Sequence, residues 1–267
     1  MTLARTFKNH SRTFATLAVG VAAGAVVAGG GLALADTSAP TSDKQITNMT
    51  DEVNQIKAYY GDTVDANGEH WASSSSNYAI QVYGIEAKAE KYLAQKIKHD
   101  HSGRRAIVLD VDDTALSTYN YELETTFVYN AASNAQYIAT KNFPAVFGMN
   151  DLANWAKAQG YTVFYITGRP ESQRADTVRQ LSSQGFPDAD DAHLFLKNKA
   201  NPPAYLSNCA TPTTWTCSTV DYKSGTRAHL EALGYTITAN FGDQFSDLNG
   251  GYSEQTYKLP NPMYFLP

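Results

Sequence analysis

Cysteine is scarce: the 267-residue chain has two, Cys209 and Cys217. No third cysteine and no histidine lies near them, which argues against a zinc site of Cys and His ligands. A basic excess is missing too. Lys and Arg total 21 against 26 Asp and Glu, a net charge of −5, so nothing suggests the basic face that nucleic acid requires. No internal repeat is visible. Apolar residues make up 43% and aromatics 12% of the chain, enough for a real core and too much for global disorder. The length fits one large domain, or one domain with appendages.

The start of the chain reads as a targeting segment. Arg5, Lys8 and Arg12 form a basic region, and Phe14 to Leu34 is uncharged and rich in Ala, Val, Gly and Leu. Ala33-Leu34-Ala35 places small residues where a signal peptidase reads them, so residues 1–35 are expected to be a signal peptide cleaved before Asp36. The competing reading is an uncleaved membrane anchor, because the run approaches a bilayer's thickness. Its Gly and Ala content favours cleavage, which leaves a secreted protein with no stable membrane association. No cysteine is near the site to accept a lipid. In an exported protein the default for Cys209 and Cys217 is a disulfide. The loop it closes is short, and chain entropy gives it roughly 2.5 kcal/mol.

Residues 36–45 are polar and contain proline, and read as a mobile leader. Ile46 to Tyr60 and Asn77 to about Lys98 carry apolar residues at helical spacing, with a loop over 62–76 and Ser75 or Ser76 as a cap. Ile107-Val108-Leu109 suits a strand buried on both faces of a parallel sheet. Residues 115–150 hold no strong strand but many aromatics, and read as a small helical insert. Further strands are expected at Thr162–Ile166, His193–Leu196 and Tyr235–Phe241, with helices between them and an edge strand around Met263–Phe265. Strands alternating with helices indicate an α/β fold with a mostly parallel sheet.

Polar residues follow three of these strands: Asp110, Asp112 and Thr114; Thr167 and Arg169; Asp243 and Asp247. Lys223 opens the helix before the last strand. In a doubly wound sheet these ends meet in one crevice. Asp110 and Asp112 point the same way if the strand stays extended, and then repel, so a compensating charge is required. Carboxylates with one lysine fit magnesium and phosphoryl transfer. An EF-hand loop is excluded, because Ala115 replaces the sixth-position glycine and Tyr121 the twelfth-position glutamate. Taken singly, Thr167-Gly168 reads as a turn, Lys223 as a solvated helix residue and Gly242-Asp243 to Asp247 as a capped loop. Their order, after apolar strands, is what singles them out.

The set Leu109-Asp110-Val111-Asp112-Asp113-Thr114, Ile166-Thr167-Gly168-Arg169, Tyr222-Lys223-Ser224 and Gly242-Asp243-Gln244-Phe245-Ser246-Asp247 resembles the four motifs of the haloacid dehalogenase (HAD) superfamily. More narrowly it is similar to the secreted acid phosphatases, bacterial class B and class C and plant, from about residue 46 to 267. That resemblance implies a Rossmann-like core with a small cap at 115–150. It implies Asp110 as nucleophile and Asp112 as acid–base. Mg²⁺ would be held by Asp110, the Asp112 carbonyl and Asp243, with Asp247 direct or through water. Thr167 and Lys223 would bind the phosphoryl oxygens. Asp113 is left as a loop or capping residue.

Arg169 has two readings, substrate contact or pairing with a helix residue. Tyr119, Tyr121, Phe127 and Tyr129 also have two, stacking on a substrate ring or forming the cap's own core. The implied substrate is a small phosphate monoester: a nucleotide, sugar phosphate or aryl phosphate. The competing functions are a phosphotransferase to alcohol acceptors and a non-catalytic storage or binding protein. Amino-terminal sequencing of the exported protein is expected to begin at Asp36; an intact Met1 overturns the cleavage reading.

Overall fold

The computed structural model describes residues 40–99 and 103–267. The expected signal peptide lies outside the described residues. The chain divides into two units, Met1–Thr47 and Asn48–Pro267. In the first, Asp43–Gln45 forms a single 3-10 turn. Gln45 Oε1 accepts a hydrogen bond from the Thr41 N–H at 2.6 Å.

The second unit begins with helix α1 (Met49–Tyr60), a short antiparallel hairpin of β1 (Thr63–Val64) and β2 (His70–Trp71), and the long helix α2 (Asn77–His99). Strand β3 (Arg104–Leu109) leads into an insert with α3 (Tyr119–Glu124) and α4 (Ala131–Thr140). Helix α5 (Met149–Ala158) returns to β4 (Thr162–Pro170), followed by α6 (Arg174–Ser183) and β5 (Leu194–Lys197). A second hairpin, β6 (Ala210–Thr211) and β7 (Thr214–Trp215), precedes α7 (Thr219–Ala232) and β8 (Tyr235–Gly242). The one-turn helix α8 (Phe245–Leu248) and strand β9 (Gln255–Lys258) complete the set. Among the described residues, no helix is long and apolar enough to cross a membrane.

Five strands form one sheet in the order β5-β4-β3-β8-β9, and every pairing is parallel. The chain steps outward from β3 to β5, then crosses back to the other side of β3. The direction of winding therefore reverses at β3, where an open α/β sheet leaves a crevice.

Residue alternation assigns the two sheet faces. Ile107, Leu109, Val163, Tyr165 and Phe241 pack with Tyr78, Val82 and Leu93 of α2 and with Leu152 and Ala156 of α5. Ala106, Val108, Phe164 and Ile166 pack on the opposite face with Tyr222 and Leu230 of α7. Both layers are apolar, which is why these strands read as continuous hydrophobic runs.

Helix ends follow local capping chemistry. Helix α1 starts at Met49, three residues later than the apolar spacing suggests, because Asn48 Oδ1 accepts the Asp51 N–H at 3.0 Å. Ile46 and Met49 are exposed and take no part in the core. Ser76 Oγ accepts the Ala79 N–H at 3.1 Å and so opens α2. At α7, Ser218 and Asp221 form a reciprocal capping box.

Two expectations need correction. Residues 62–76 contain the β1–β2 hairpin rather than plain loop. The edge strand is Gln255–Lys258, paired with Ala239–Gly242, and not Met263–Phe265. Pro260 and Pro262 lack the N–H a strand must donate, so the tail leaves the sheet and turns over the carboxyl ends of the strands. Cys209 and Cys217 do form a disulfide, and it flanks the β6–β7 hairpin. Of the insert aromatics, Tyr119 stacks outward on Tyr60 of α1, while Tyr137 stacks on Phe143 inside the insert. Tyr121 is buried, Phe127 half-buried and Tyr129 exposed.

A buried carboxyl joins α2 to α5. The Glu86 carboxyl presses against Gly148, the cap of α5, whose φ of 72° favours glycine and where a Cβ would displace that carboxyl. Glu86 Oε1 is buried without a hydrogen-bond partner. Burial, then the charges of Glu90 and Asp151, push its pKa up to about 8. An unfolded glutamate titrates near 4.3. A folded pKa raised above the unfolded one means stability present at low pH and lost as pH rises through about 8. Glu86→Gln is therefore expected to flatten the fall in Tm between pH 5 and pH 9, and to melt above the wild type at pH 9. Parallel wild-type and variant melting curves across that range check this.

Candidate active site

Strand β3 ends at Leu109, and the Asp110 N–H still donates to the Phe241 carbonyl at 3.0 Å. After Asp110 the chain turns tightly. The N–H groups of Ala115 and Leu116 both donate to the Val111 carbonyl. Asp110 and Asp112 are thereby separated instead of lying side by side on an extended strand. Each faces its own cation. Lys223 Nζ donates to Asp110 Oδ1 and, at 2.5 Å, to Asp247 Oδ1. Arg169 grips Asp112 in a fork, with Nη2 at 2.6 Å from Oδ1 and Nε at 3.0 Å from Oδ2. The Asp110 side chain is 8% exposed and that of Asp112 29%, so Asp112 is the carboxylate open to an incoming group.

Asp243 and Asp247 arrive from the end of β8. Gly242 lies against the Asp247 side chain with no room for a Cβ. Asp247 Oδ2 accepts the Gln244 N–H at 2.8 Å, as in a helix cap. With Oδ1 taken by Lys223, both Asp247 oxygens are engaged. Asp243 Oδ2 accepts amide hydrogens from Gln244 and Asn261, each at 2.7 Å. Its Oδ1 receives only a long 3.5 Å contact from Thr114. Asp110 Oδ2 accepts no hydrogen bond from the described residues. One oxygen each from Asp110, Asp243 and Asp247 lie within 4.8 Å of one another.

The charges in this cluster do not balance. Burial drives the Asp110 pKa well up; Lys223 opposes this, and Asp247, Asp243 and Asp112 push it further. Burial, then Asp247 and Asp113, raise Asp243 to about 7, against the two amides. Burial alone would lower Lys223, but Asp110 and Asp247 outweigh it and hold the ammonium above its usual range. Three carboxylates share one lysine, and a divalent cation could supply the charge that is missing. An all-oxygen donor set suits a hard ion such as Mg²⁺, Mn²⁺ or Ca²⁺ rather than zinc. Asp110 Oδ2 and Asp243 Oδ1 are the oxygens left for it, so the residues fit a bound divalent metal.

The structure thus brings Asp110, Lys223, Asp243 and Asp247 together, with Asp112 and Arg169 beside them. Thr167 is fully buried in the second half of β4, and its Oγ1 accepts the Arg169 N–H at 3.2 Å. Arg169 also donates to Thr177 Oγ1 and Gln180 Oε1 of α6, both at 3.0 Å, so it pairs with helix residues and with Asp112 at once. Asp113 is fully buried with φ 52°. It accepts from the Thr118 N–H at 2.9 Å, the Thr118 hydroxyl at 2.5 Å and the Tyr264 hydroxyl at 2.8 Å. That ties the turn after β3 to the start of α3 and to the tail.

Sequence reasoning missed three groups. Asn261 and Tyr264 carry no motif. Arg227 had a signal, its place one helical turn after Lys223. Fully buried, it donates to the carbonyls of Asp247, Asn249 and Gly251.

A five-stranded parallel sheet with a carboxylate cluster at its switch point and a small insert after the first strand defines a Rossmann-like α/β phosphoryl-transfer enzyme. The chain belongs to HAD superfamily subfamily IIIB, the acid phosphatases, whose family model matches residues 32–267. It is accordingly a phosphoric monoester hydrolase of the HAD type. Acid phosphatase 1 of Solanum lycopersicum is 30% identical over 193 residues, 71% of this chain and 69% of that protein. Vegetative storage protein 1 of Arabidopsis thaliana is 26% identical over 214 residues, 77% of this chain and 73% of that protein. The class C acid phosphatase from Bacillus anthracis shares the fold, with a TM-score of 0.60 and 19% identity over 81% of this chain and 86% of that one.

Asp113 accepts three hydrogen bonds away from the cluster, so its loss should act on stability. Asp113→Ala is expected to cost about 2–4 kcal/mol in denaturant unfolding, since it strands buried donors at Thr118 and Tyr264. An unchanged midpoint overturns this assignment.

Proposed function

We propose that the protein is an exported, Mg²⁺-dependent acid phosphatase that hydrolyses small phosphate monoesters through an aspartyl-phosphate on Asp110. The observation that carries this reading is the separation of the two β3-end carboxylates, Asp110 on Lys223 and Asp112 on Arg169. Two carboxylates in different surroundings can hold different protonation roles. Export is supported by the basic, apolar and Ala-Leu-Ala pattern of residues 1–35 and by the disulfide.

Asp110 attacks the phosphorus, an Asp110 Oδ–P bond forms, and the ester P–O bond breaks with its electron pair leaving on the alcohol oxygen. Asp112 enters this step protonated, with the Arg169 fork loosened because the forked carboxylate holds no proton, and gives its proton to that oxygen. It then takes a proton from the water that attacks the phosphorus, breaking the Oδ–P bond and releasing inorganic phosphate. Arg169 is a positioning residue: its fork fixes the Asp112 carboxylate while α6 fixes the guanidinium. Lys223 holds phosphoryl oxygens and offsets Asp110. Thr167 contributes its hydroxyl to the phosphoryl oxygens. Nucleophile and phosphate both carry negative charge, and like charges about 4 Å apart repel by roughly 4 kcal/mol at an effective dielectric near 20. Mg²⁺ held by Asp110, the Asp112 carbonyl and Asp243, with Asp247 in support, would supply the remaining charge neutralisation.

The storage function named in the Arabidopsis relative needs no nucleophile. The presence of Asp110, Asp112, Lys223 and Asp243 together supports catalysis in this chain. Asp110→Asn is expected to lower phosphate release by roughly a thousandfold or more. Chelation should abolish it, and added Mg²⁺ should restore it. Undiminished turnover in either experiment rejects the mechanism, and phosphate transfer to added alcohol exceeding release to water rejects hydrolysis as the main reaction.

A further inference from the structure

Five lysines of the described chain are half-buried: Lys57, Lys96, Lys141, Lys197 and Lys258. Four have an oxygen partner. Lys57 pairs with Asp62, Lys96 with Glu254 and Lys141 with Glu69. Lys258 donates to the Leu259 carbonyl at 2.7 Å. Lys197 has neither a hydrogen bond nor an ion pair among the described residues. The Tyr222 ring beneath the Lys197 ammonium offsets part of the cost of burial but leaves its N–H donors without an acceptor, which an anion from outside the chain would supply.

Its position says where that anion would bind. Lys197 ends β5, and Phe195 two residues earlier packs with the α7 side of the sheet, so the Lys197 side chain stands on that side too. Lys197 Nζ lies 5.7 Å from the centre of the Tyr222 ring, next in sequence to Lys223. It is also 3.9 Å from where a Cβ on Gly168 would sit, beside Thr167. The ammonium is therefore at the mouth of the crevice, one step outside Lys223. Lys199 continues the line outward, its Nζ 5.9 Å from the centre of the Trp215 ring and, among the described residues, likewise without a hydrogen bond or ion pair. Burial first, then Lys223 and Lys199, hold the Lys197 ammonium below its usual pKa, while Asp110 and Asp247 pull the other way. Of three ammoniums in a row, only the innermost is neutralised by the chain itself.

We infer that Lys197, backed by Lys199, forms a second anion site that selects phosphate monoesters carrying a further phosphate or carboxylate on the leaving group. This rests on the phosphatase reading above, with the scissile phosphoryl group at Lys223 and Thr167 and the second anion at Lys197.

The test compares glycerol 3-phosphate with 3-phosphoglycerate, which differ by a hydroxymethyl against a carboxylate, on the purified protein with Mg²⁺. The wild type is expected to show kcat/KM about tenfold or more higher for 3-phosphoglycerate, the scale of one charge-assisted hydrogen bond. Lys197→Met should bring that ratio near one, Lys197→Arg should keep most of it, and Lys199→Met should reduce it less. A wild-type ratio near one, or a Lys197→Met ratio equal to wild type even if both rates fall, overturns the inference.

Titration calorimetry with methylphosphonate and phosphonoacetate reads the same discrimination without turnover. If no substrate is hydrolysed, the phosphatase reading fails, and calorimetry alone decides. Tighter phosphonoacetate binding that disappears in Lys197→Met upholds the second site, and equal binding of both probes removes it.

Discussion

Lys223 Nζ sits between Asp110 and Asp247, and all three groups are withdrawn from water. Burying any one of them alone would cost several kcal/mol, so each is tolerated only because the others are there. That mutual dependence fixes the architecture around it. Lys223 has to emerge from the first turns of α7, which the Ser218–Asp221 box starts at a defined residue. Asp247 must approach the backbone closely, which Gly242 permits. Arg227, one turn along α7, then clamps three carbonyls of the loop that carries Asp247. The helix, the end of β3 and the loop after β8 are thereby joined through charge rather than through apolar packing.

The second charge pair, Arg169 with Asp112, is kept separate from the first. Had β3 stayed extended past Leu109, both carboxylates would have competed for the same cation. The turn at Val111–Leu116 prevents that, and it needs Asp113 in a left-handed conformation to close. A residue without any assigned chemistry thus sets the geometry on which the chemistry depends.

Much of this was legible in the residues. Apolar runs at β3, β4 and β8 announced a sheet covered on both sides, and the polar residues after them marked the crevice. Disulfide pairing followed from having only two cysteines. Other features had no periodic or motif signal. Helix α1 began where Asn48 could cap it, not where Ile46 first fitted the apolar spacing. The partner of Arg169 depends on a turn 57 residues earlier in the chain, and the contact of Glu86 with Gly148 is visible only once α2 and α5 are packed. Local patterns report elements; pairings between distant polar groups depend on the assembled fold.

The tail that leaves the sheet at Leu259 has a bearing on how the pocket is put together in time. Asn261 seats Asp243, and Tyr264 reaches Asp113 across 151 residues of sequence. Those donors lie downstream of β3, β4 and β8, so they are made after the strands that frame the cluster. A nascent chain can already pair β3 with β4 and β8 while its acidic cluster is still loosely held. Seating of the acidic cluster therefore depends on residues made after the strands that frame it, and the site is complete only once the tail has come across.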